Sequence, residues 1–166
     1  MNKIDLIGVK MIKIENTNPT MHEYFENIFC LDNFSAFSLV IDNVEYKTAE
    51  HAFQSIKFLK TSKEIAEEIR LSTSPFEARN LAHKYKALRR GDWKDVKYDI
   101  MEKILYEKTI QNQYVKEKLL ATKNNRIVED CGADDDKDWG CGIDGTGENN
   151  LGKIWMKIRN IISKQI

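Results

Sequence analysis

Proline and glycine are scarce in this 166-residue chain, at 2 and 8 residues, which excludes a collagen-like or linker-rich protein. Neither sign of charge is in excess. Lys plus Arg and Asp plus Glu both count 26, so no overall field draws the chain to nucleic acid or an anionic membrane, and any phosphate site must be local. No run approaches 18 apolar residues, and Asp5 and Glu15 interrupt an N-terminus that lacks the organisation of a secretory signal. A soluble, cytoplasmic protein with no membrane partner is expected. The only cysteines, Cys30, Cys131 and Cys141, are then reduced thiols, with Cys30 a small buried apolar side chain. Cys131 and Cys141 are not at zinc-ligand spacing, and His22, His51 and His83 form no ligand pair. Asp134, Asp136 and Asp138 mimic the start of a calcium loop, but Trp139 stands where that loop needs glycine and Gly145 where it needs glutamate. No metal is expected. Gly140 to Gly145 formally matches a dinucleotide fingerprint, yet an acidic stretch precedes it instead of an apolar strand, and no partner acid follows at the required distance. No cofactor is expected either.

What is present is apolar residue content of 42%, enough for the core of one domain. Residues 1–28 read as an N-terminal extension or strand, with weak alternation through Ile4, Leu6, Val9, Met11 and Ile14. From Phe37 to Tyr46, β-branched and aromatic residues surround an Asp42-Asn43 turn, which predicts a small hairpin. Thr48 offers an N-cap for a helix to about Lys60. Thr61 and Glu64 suggest a capping box for a helix ending near Leu71, and Ser74-Pro75-Phe76-Glu77 a helix from Pro75 to about Leu88. Asp92 caps a helix to about Thr109, Asn112 another, and Asn149 or Asn150 a last one that turns Leu151, Trp155, Ile158 and Ile162 to one side. The polar, glycine-rich stretch 124–150 reads as loop around a short Ile127-Val128 run. The expected class is mainly α with a minor β element (α+β).

The helix after Thr48 carries the clearest chemical pattern. At about 100° per residue, Glu50, Gln54 and Lys57 fall within about 60° of one another, while Ala49, Ala52, Phe53, Ile56 and Leu59 face a core. A carboxylate, an amide and an amine line up beside apolar surface. The competing reading is a solvated face with spaced charges. A second pattern is the loop of Asp136, Asp138, Trp139, Gly140 and Gly142, which joins carboxylates, an indole and close-approach glycines in a nucleotide-like vocabulary. A solvated acidic turn with Trp139 folded back as core competes with it. A third is the basic and aromatic segment from Lys84 to Lys97, read mostly as solvated helix ends, with Lys97, one turn beyond Trp93, kept as a candidate.

Taken in order, these pieces resemble one family, the YbiA-like or NADAR proteins, over about residues 29–162. Leu31-Asp32-Asn33-Phe34 is similar to its Leu-Ser-Asn-Phe, with Asp32 in place of serine. Glu50-His51-x-x-Gln54-x-x-Lys57-Phe58 resembles its Glu-His-x-x-Gln-x-x-Lys-Phe helix, and Trp93, Lys97 and Met101 match its Trp-Lys-Met spacing. Gln111-Asn112, Leu120-Ala121-Thr122 and Glu129 continue the match. Asp136 to Gly140 resembles Asp-x-x-Trp-Gly, and Gly147 to Gly152, then Met156 and Arg159, its closing Gly-x-Asn-x-Leu-Gly signature.

The resemblance implies a single YbiA-like helical domain over residues 29–166 with a small N-terminal hairpin. It also implies an N-glycosidase acting on phosphorylated ribosyl compounds, either riboflavin-pathway intermediates or ADP-ribosylated guanine in nucleic acid. Breaking a ribosyl C1–N bond develops oxocarbenium charge, so a nearby carboxylate stabilises the transition state or activates water. On that basis Glu50, Lys57 and Asp136 are the catalytic candidates, with Lys57 either a Schiff-base amine or a phosphate or hydroxyl ligand. Gln54 would orient a ribose hydroxyl and Trp139 stack on the base. Asn33, Phe34, Trp93, Lys97, Gly140 and Asn149 complete the binding candidates. The alternative function is a non-catalytic ADP-ribose or NAD-binding module using the same residues.

Overall fold

A computed structural model describes residues 11–15, 29–130 and 135–165. Among them the elements run β1 (Met11–Glu15), β2 (Leu39–Ile41), β3 (Val44–Tyr46), α1 (Ala49–Ile56), α2 (Lys63–Leu71), α3 (Pro75–Lys84), α4 (Trp93–Gln111), α5 (Gln113–Ala121), β4 (Arg126–Asp130) and α6 (Asn150–Ser163). Helices dominate and the strands form two small sheets, which is the α+β class expected. The chain divides into two compact units, Asn33–Glu117 and a second built from Met1–Asp32 with Lys118–Ile166. No helix among the described residues is long and apolar enough to cross a membrane.

In the Asn33–Glu117 unit, Asp42 and Asn43 both adopt left-handed backbone (φ 51° and 64°), the hairpin turn whose twist matches that of the antiparallel strands β2 and β3. The end of α4 closes the outer edge of β2. The Gln111 amide accepts from Val40 N at 2.7 Å and donates to Val40 O at 2.8 Å, as a neighbouring strand would.

α1 begins at the Thr48 cap, whose Oγ1 accepts from His51 N at 3.2 Å. It stops at Ile56, short of Lys60, because the chain turns to deliver Ser62, in extended backbone, as the cap of α2. Ser62 Oγ accepts from Ile65 N at 3.3 Å, whereas Thr61 Oγ1 turns back to Phe58 O. The cap of α2 is therefore Ser62, one residue later than its sequence suggested. Ser74 caps α3 by accepting from Glu77 N, and the Glu77 carboxylate accepts from Thr73 N at 2.6 Å. α3 ends at Lys84, and a single tight turn, Lys86–Leu88, completes the stretch. Asp92 precedes α4 but makes no side-chain cap, since Arg90 holds its carboxylate at 2.5 and 2.7 Å. Phe58, Ala66, Ile69, Ala78 and Ala82 form the core where the end of α1 meets α2 and α3, with small alanines letting the helices approach.

In the other unit, β1 pairs antiparallel with β4, Met11 opposite Asp130 through Glu15 opposite Arg126. The Ile127-Val128 run inside the polar stretch is thus a buried strand. α6 lies on β4 with Leu151, Trp155, Ile158 and Ile162 buried, the face expected from their spacing. Gly152 makes that approach possible, because a Cβ there would stand 2.1 Å from Ile127 O. Asn149 occupies the N-cap position in left-handed backbone (φ 52°) without capping by its side chain.

Candidate functional site

The Glu50, Gln54 and Lys57 side chains form a continuous relay on α1. Gln54 Nε2 donates to Glu50 Oε1 at 2.7 Å, and Lys57 Nζ donates to Gln54 Oε1 at 2.5 Å. A carboxylate only accepts and an ammonium only donates, so these neighbours dictate which end of the amide faces which. Glu50 is 6% exposed and Gln54 5% exposed, which rules out the solvated-face reading of this stripe.

Two aromatic rings wall the amine. Lys57 Nζ stands 5.0 Å from the centroid of Phe53, one helical turn earlier, and 5.2 Å from that of Trp93. The rings lean on each other at 4.9 Å with planes at 59°. Trp93 is buried at 5% exposure and backs the amine. Burial pushes the Lys57 pKa down to about 8, the Glu50 carboxylate pulls it back up, and the Arg89 guanidinium depresses it further. An amine in this state deprotonates near pH 8, so part of it is neutral just above pH 7.

Asn33 supports the Glu50 end. Its carbonyl accepts from Glu50 N at 3.0 Å, and its side chain lies against Met101, with Nδ2 3.7 Å from Sδ. Asn33 Oδ1 is buried without a hydrogen-bond partner among the described residues. Phe34 meets Phe76 edge-to-face at 4.8 Å, with the Arg79 guanidinium 5.6 Å from the Phe34 ring. Lys97 is half-buried and places its amine 4.6 Å from the centroid of Tyr98. His51 is a brace. Its Nδ1 meets Thr48 Oγ1 at 2.9 Å and its Nε2 donates to Ser72 O at 3.3 Å, since a carbonyl only accepts, so the buried ring joins the start of α1 to the end of α2. Burial lowers its pKa.

The remaining candidates belong to the other unit. Asp136 Oδ1 accepts from Asp138 N at 3.0 Å and Trp139 N at 2.9 Å, an Asx turn that sets the half-buried Trp139. Gly140 O accepts from Asn149 N at 2.9 Å, and Gly147 packs so closely that a Cβ would lie 2.4 Å from Gly140 O. Asn149 is buried and commits its amide to β4, accepting from Glu129 N at 3.0 Å and donating to Ile127 O at 2.9 Å. Buried Cys30 and half-buried Cys141 form no disulfide, while Cys131 and Asp134 lie outside the described residues. Among the described residues no three His, Cys, Asp or Glu side chains gather as a metal-binding group.

The structure therefore brings Glu50, Gln54, Lys57 and Trp93 together in one unit and sets the Asp136-to-Asn149 loop in the other. Sequence reasoning left Phe53 among the core residues and Arg89 among the solvated cations. The signal for Phe53 was its position four residues before Lys57 on one helix.

A family model described as the NADAR domain matches residues 15–163. The chain is 35% identical over 127 residues to N-glycosidase YbiA of Escherichia coli (strain K12), covering 76% of this chain and 77% of that protein. It is 32% identical over 138 residues to a riboflavin biosynthesis protein of Vibrio vulnificus (strain YJ016), covering 83% of this chain and 36% of that protein. The NMR structure of the E. coli protein YbiA is similar with a TM-score of 0.73 at 33% identity, over 82% of this chain and 79% of that one.

Proposed function

The chain belongs to the NADAR family, and on that premise we propose that it hydrolyses the ribosyl C1–N bond of phosphorylated ribosyl compounds along the Glu50–Gln54–Lys57 edge. Its class is that of its relatives, a hydrolase of N-glycosidic bonds. The observation that carries the assignment of residues is the buried relay itself, which holds a carboxylate and a low-pKa amine on the two ends of one amide.

Cleavage leaves the electron pair with the departing nitrogen and positive charge at C1. Glu50 stabilises that charge and directs water to it. In the covalent route, neutral Lys57 adds to C1 of the ring-opened sugar, and the base leaves as its amine with the bonding pair and a proton. Water then adds to the Lys57 iminium, releasing the aldehyde sugar and the free lysine. Gln54 fixes the spacing of the two groups through both steps. Trp139 is proposed to stack on the base and Asp136 to assist at the sugar, with Asn33, Phe34, Lys97 and Gly140 in binding roles. The buried amide of Asn149 supports a positioning role.

The substrate is an early riboflavin intermediate or ADP-ribosylated guanine in nucleic acid, and the former is favoured by the zero net charge of the chain and by the riboflavin-named relative. Release of free base from each compound, followed by chromatography, is the test. Release from neither overturns the assignment, and calorimetric binding of ADP-ribose without release makes the protein a reader.

A further inference from the structure

The net charge of the chain is zero, yet the C-terminal end of α1 gathers cations. Arg90 N donates to Lys57 O at 2.9 Å, so the segment that joins α3 to α4 is fastened to the residue bearing the amine. Arg89, in extended backbone, immediately precedes the residue so bonded, and its guanidinium is near enough to depress the Lys57 amine. The acid of the same segment is already used. Asp92 is held by Arg90 at 2.5 and 2.7 Å and approached by Lys60 at 3.4 Å. Glu50 is occupied at the far side of the Gln54 amide.

Arg90 and Lys60 share the Asp92 carboxylate and Lys57 is tied to Glu50 through Gln54, whereas the Arg89 guanidinium has no side-chain hydrogen bond or ion pair among the described residues. It is half-buried, and its planar fork can meet an anion in a fixed geometry. A partly desolvated pair of like charges is costly unless an anion sits with them. A phosphate monoester, which carries about −1.5 to −2 near neutral pH, supplies such an anion.

We propose that Arg89 is the residue that recognises the substrate's phosphate, binding it beside Lys57 so that the sugar carbon is presented to the relay. This rests on the glycosidase reading for its substrate, but not for the anion site itself. Arg suits the task because its planar fork meets two phosphate oxygens at once. Docking a phosphate there also offsets the repulsion between Arg89 and the cation that Lys57 becomes as an iminium.

Two measurements test it on the intact protein. In the first, kinetics are compared on a phosphorylated ribosyl substrate and its dephosphorylated form. Arg89→Gln is expected to raise KM for the phosphorylated compound at least tenfold while KM for the dephosphorylated compound holds, to change kcat on both compounds alike by no more than about threefold as the Lys57 midpoint rises, and to be partly rescued by Arg89→Lys in the phosphorylated KM. Equal loss on both compounds overturns the proposal. In the second, the pH midpoint for acylation of Lys57 is followed by peptide mass spectrometry with millimolar inorganic phosphate against chloride at equal ionic strength. Phosphate is expected to raise the wild-type midpoint and not that of Arg89→Gln. An unmoved wild-type midpoint overturns the anion site. If the wild type cleaves neither compound, the glycosidase reading fails while the acylation measurement still decides for or against Arg89.

Discussion

Competitive acylation of the lysines across pH 6 to 11 gives a sharp test of the relay. An ordinary exposed lysine becomes reactive around pH 10.5, whereas the environment of Lys57 brings its pKa to about 8. At pH 7.5 about a quarter of the Lys57 amines are then neutral, against about one in a thousand for an exposed lysine, a gain of roughly 200-fold in nucleophilic form. The expected result is a midpoint near 8 for the peptide carrying Lys57. A short lysine peptide added to the same reaction serves as the internal reference.

The neighbours provide the control on cause. Glu50 stabilises the ammonium, so Glu50→Gln is expected to move the midpoint further down, and Arg89 repels it, so Arg89→Gln is expected to move it up. Opposite shifts from two substitutions identify direct charge interactions, because general loosening of the fold would expose the amine and raise the midpoint in both. A wild-type midpoint above about 9.5, or shifts of the same sign, would refute the reasoning and remove the covalent route with it.

Lys57→Met is expected to abolish base release while raising stability at pH 7 by on the order of 1–3 kcal/mol, because below pH 8 the folded state bears the full cost of a desolvated charge. The gain should shrink between pH 8 and 10.5, and urea midpoints at three pH values read it. His51 acts in the acid range: its folded pKa lies below that of the unfolded chain, so the unfolded state takes up the proton first and stability falls as pH drops through about 6.5. His51→Gln is expected to flatten the urea midpoint between pH 7 and 5, and an unchanged slope would deny the ring its neutral, buried role. Gly152→Ala forces a methyl into Ile127 O and is expected to cost about 3 kcal/mol or prevent folding, read by thermal melting. Asn149→Ala is expected to cost about 1–3 kcal/mol, since Glu129 N is left buried without its acceptor.

Where local chemistry governs, the sequence was legible. Helical period put Glu50, Gln54 and Lys57 on one stripe, and the Asp42-Asn43 pair marked the hairpin because few other residues tolerate two consecutive left-handed positions. The cap of α2 slipped by one residue because Thr61 and Ser62 are both competent, and only the turn after Phe58 decides between them. The pairing of β1 with β4 joins strands more than 100 residues apart in sequence, and no local pattern encodes such a partner. Arg89 was hidden for a related reason: in sequence it is one of six cations, and what separates it from Arg90 is that Asp92 is already taken.

The family signature itself divides on inspection. His51 braces α1 against the end of α2, Gln111 pairs with the edge of β2, Asn149 clamps β4, and Gly147 and Gly152 stand where a methyl would collide with backbone. Each of these residues is specified by a backbone group it must satisfy or avoid, and none of them brings charge to a substrate. Buried Glu50 and Gln54 and half-buried Lys57 are different, because folding would be served as well or better by apolar side chains at their positions. A motif residue whose side chain is spent on the main chain explains why the fold persists. One that keeps a costly charge out of water in a relay of side chains is where the chemistry should be sought.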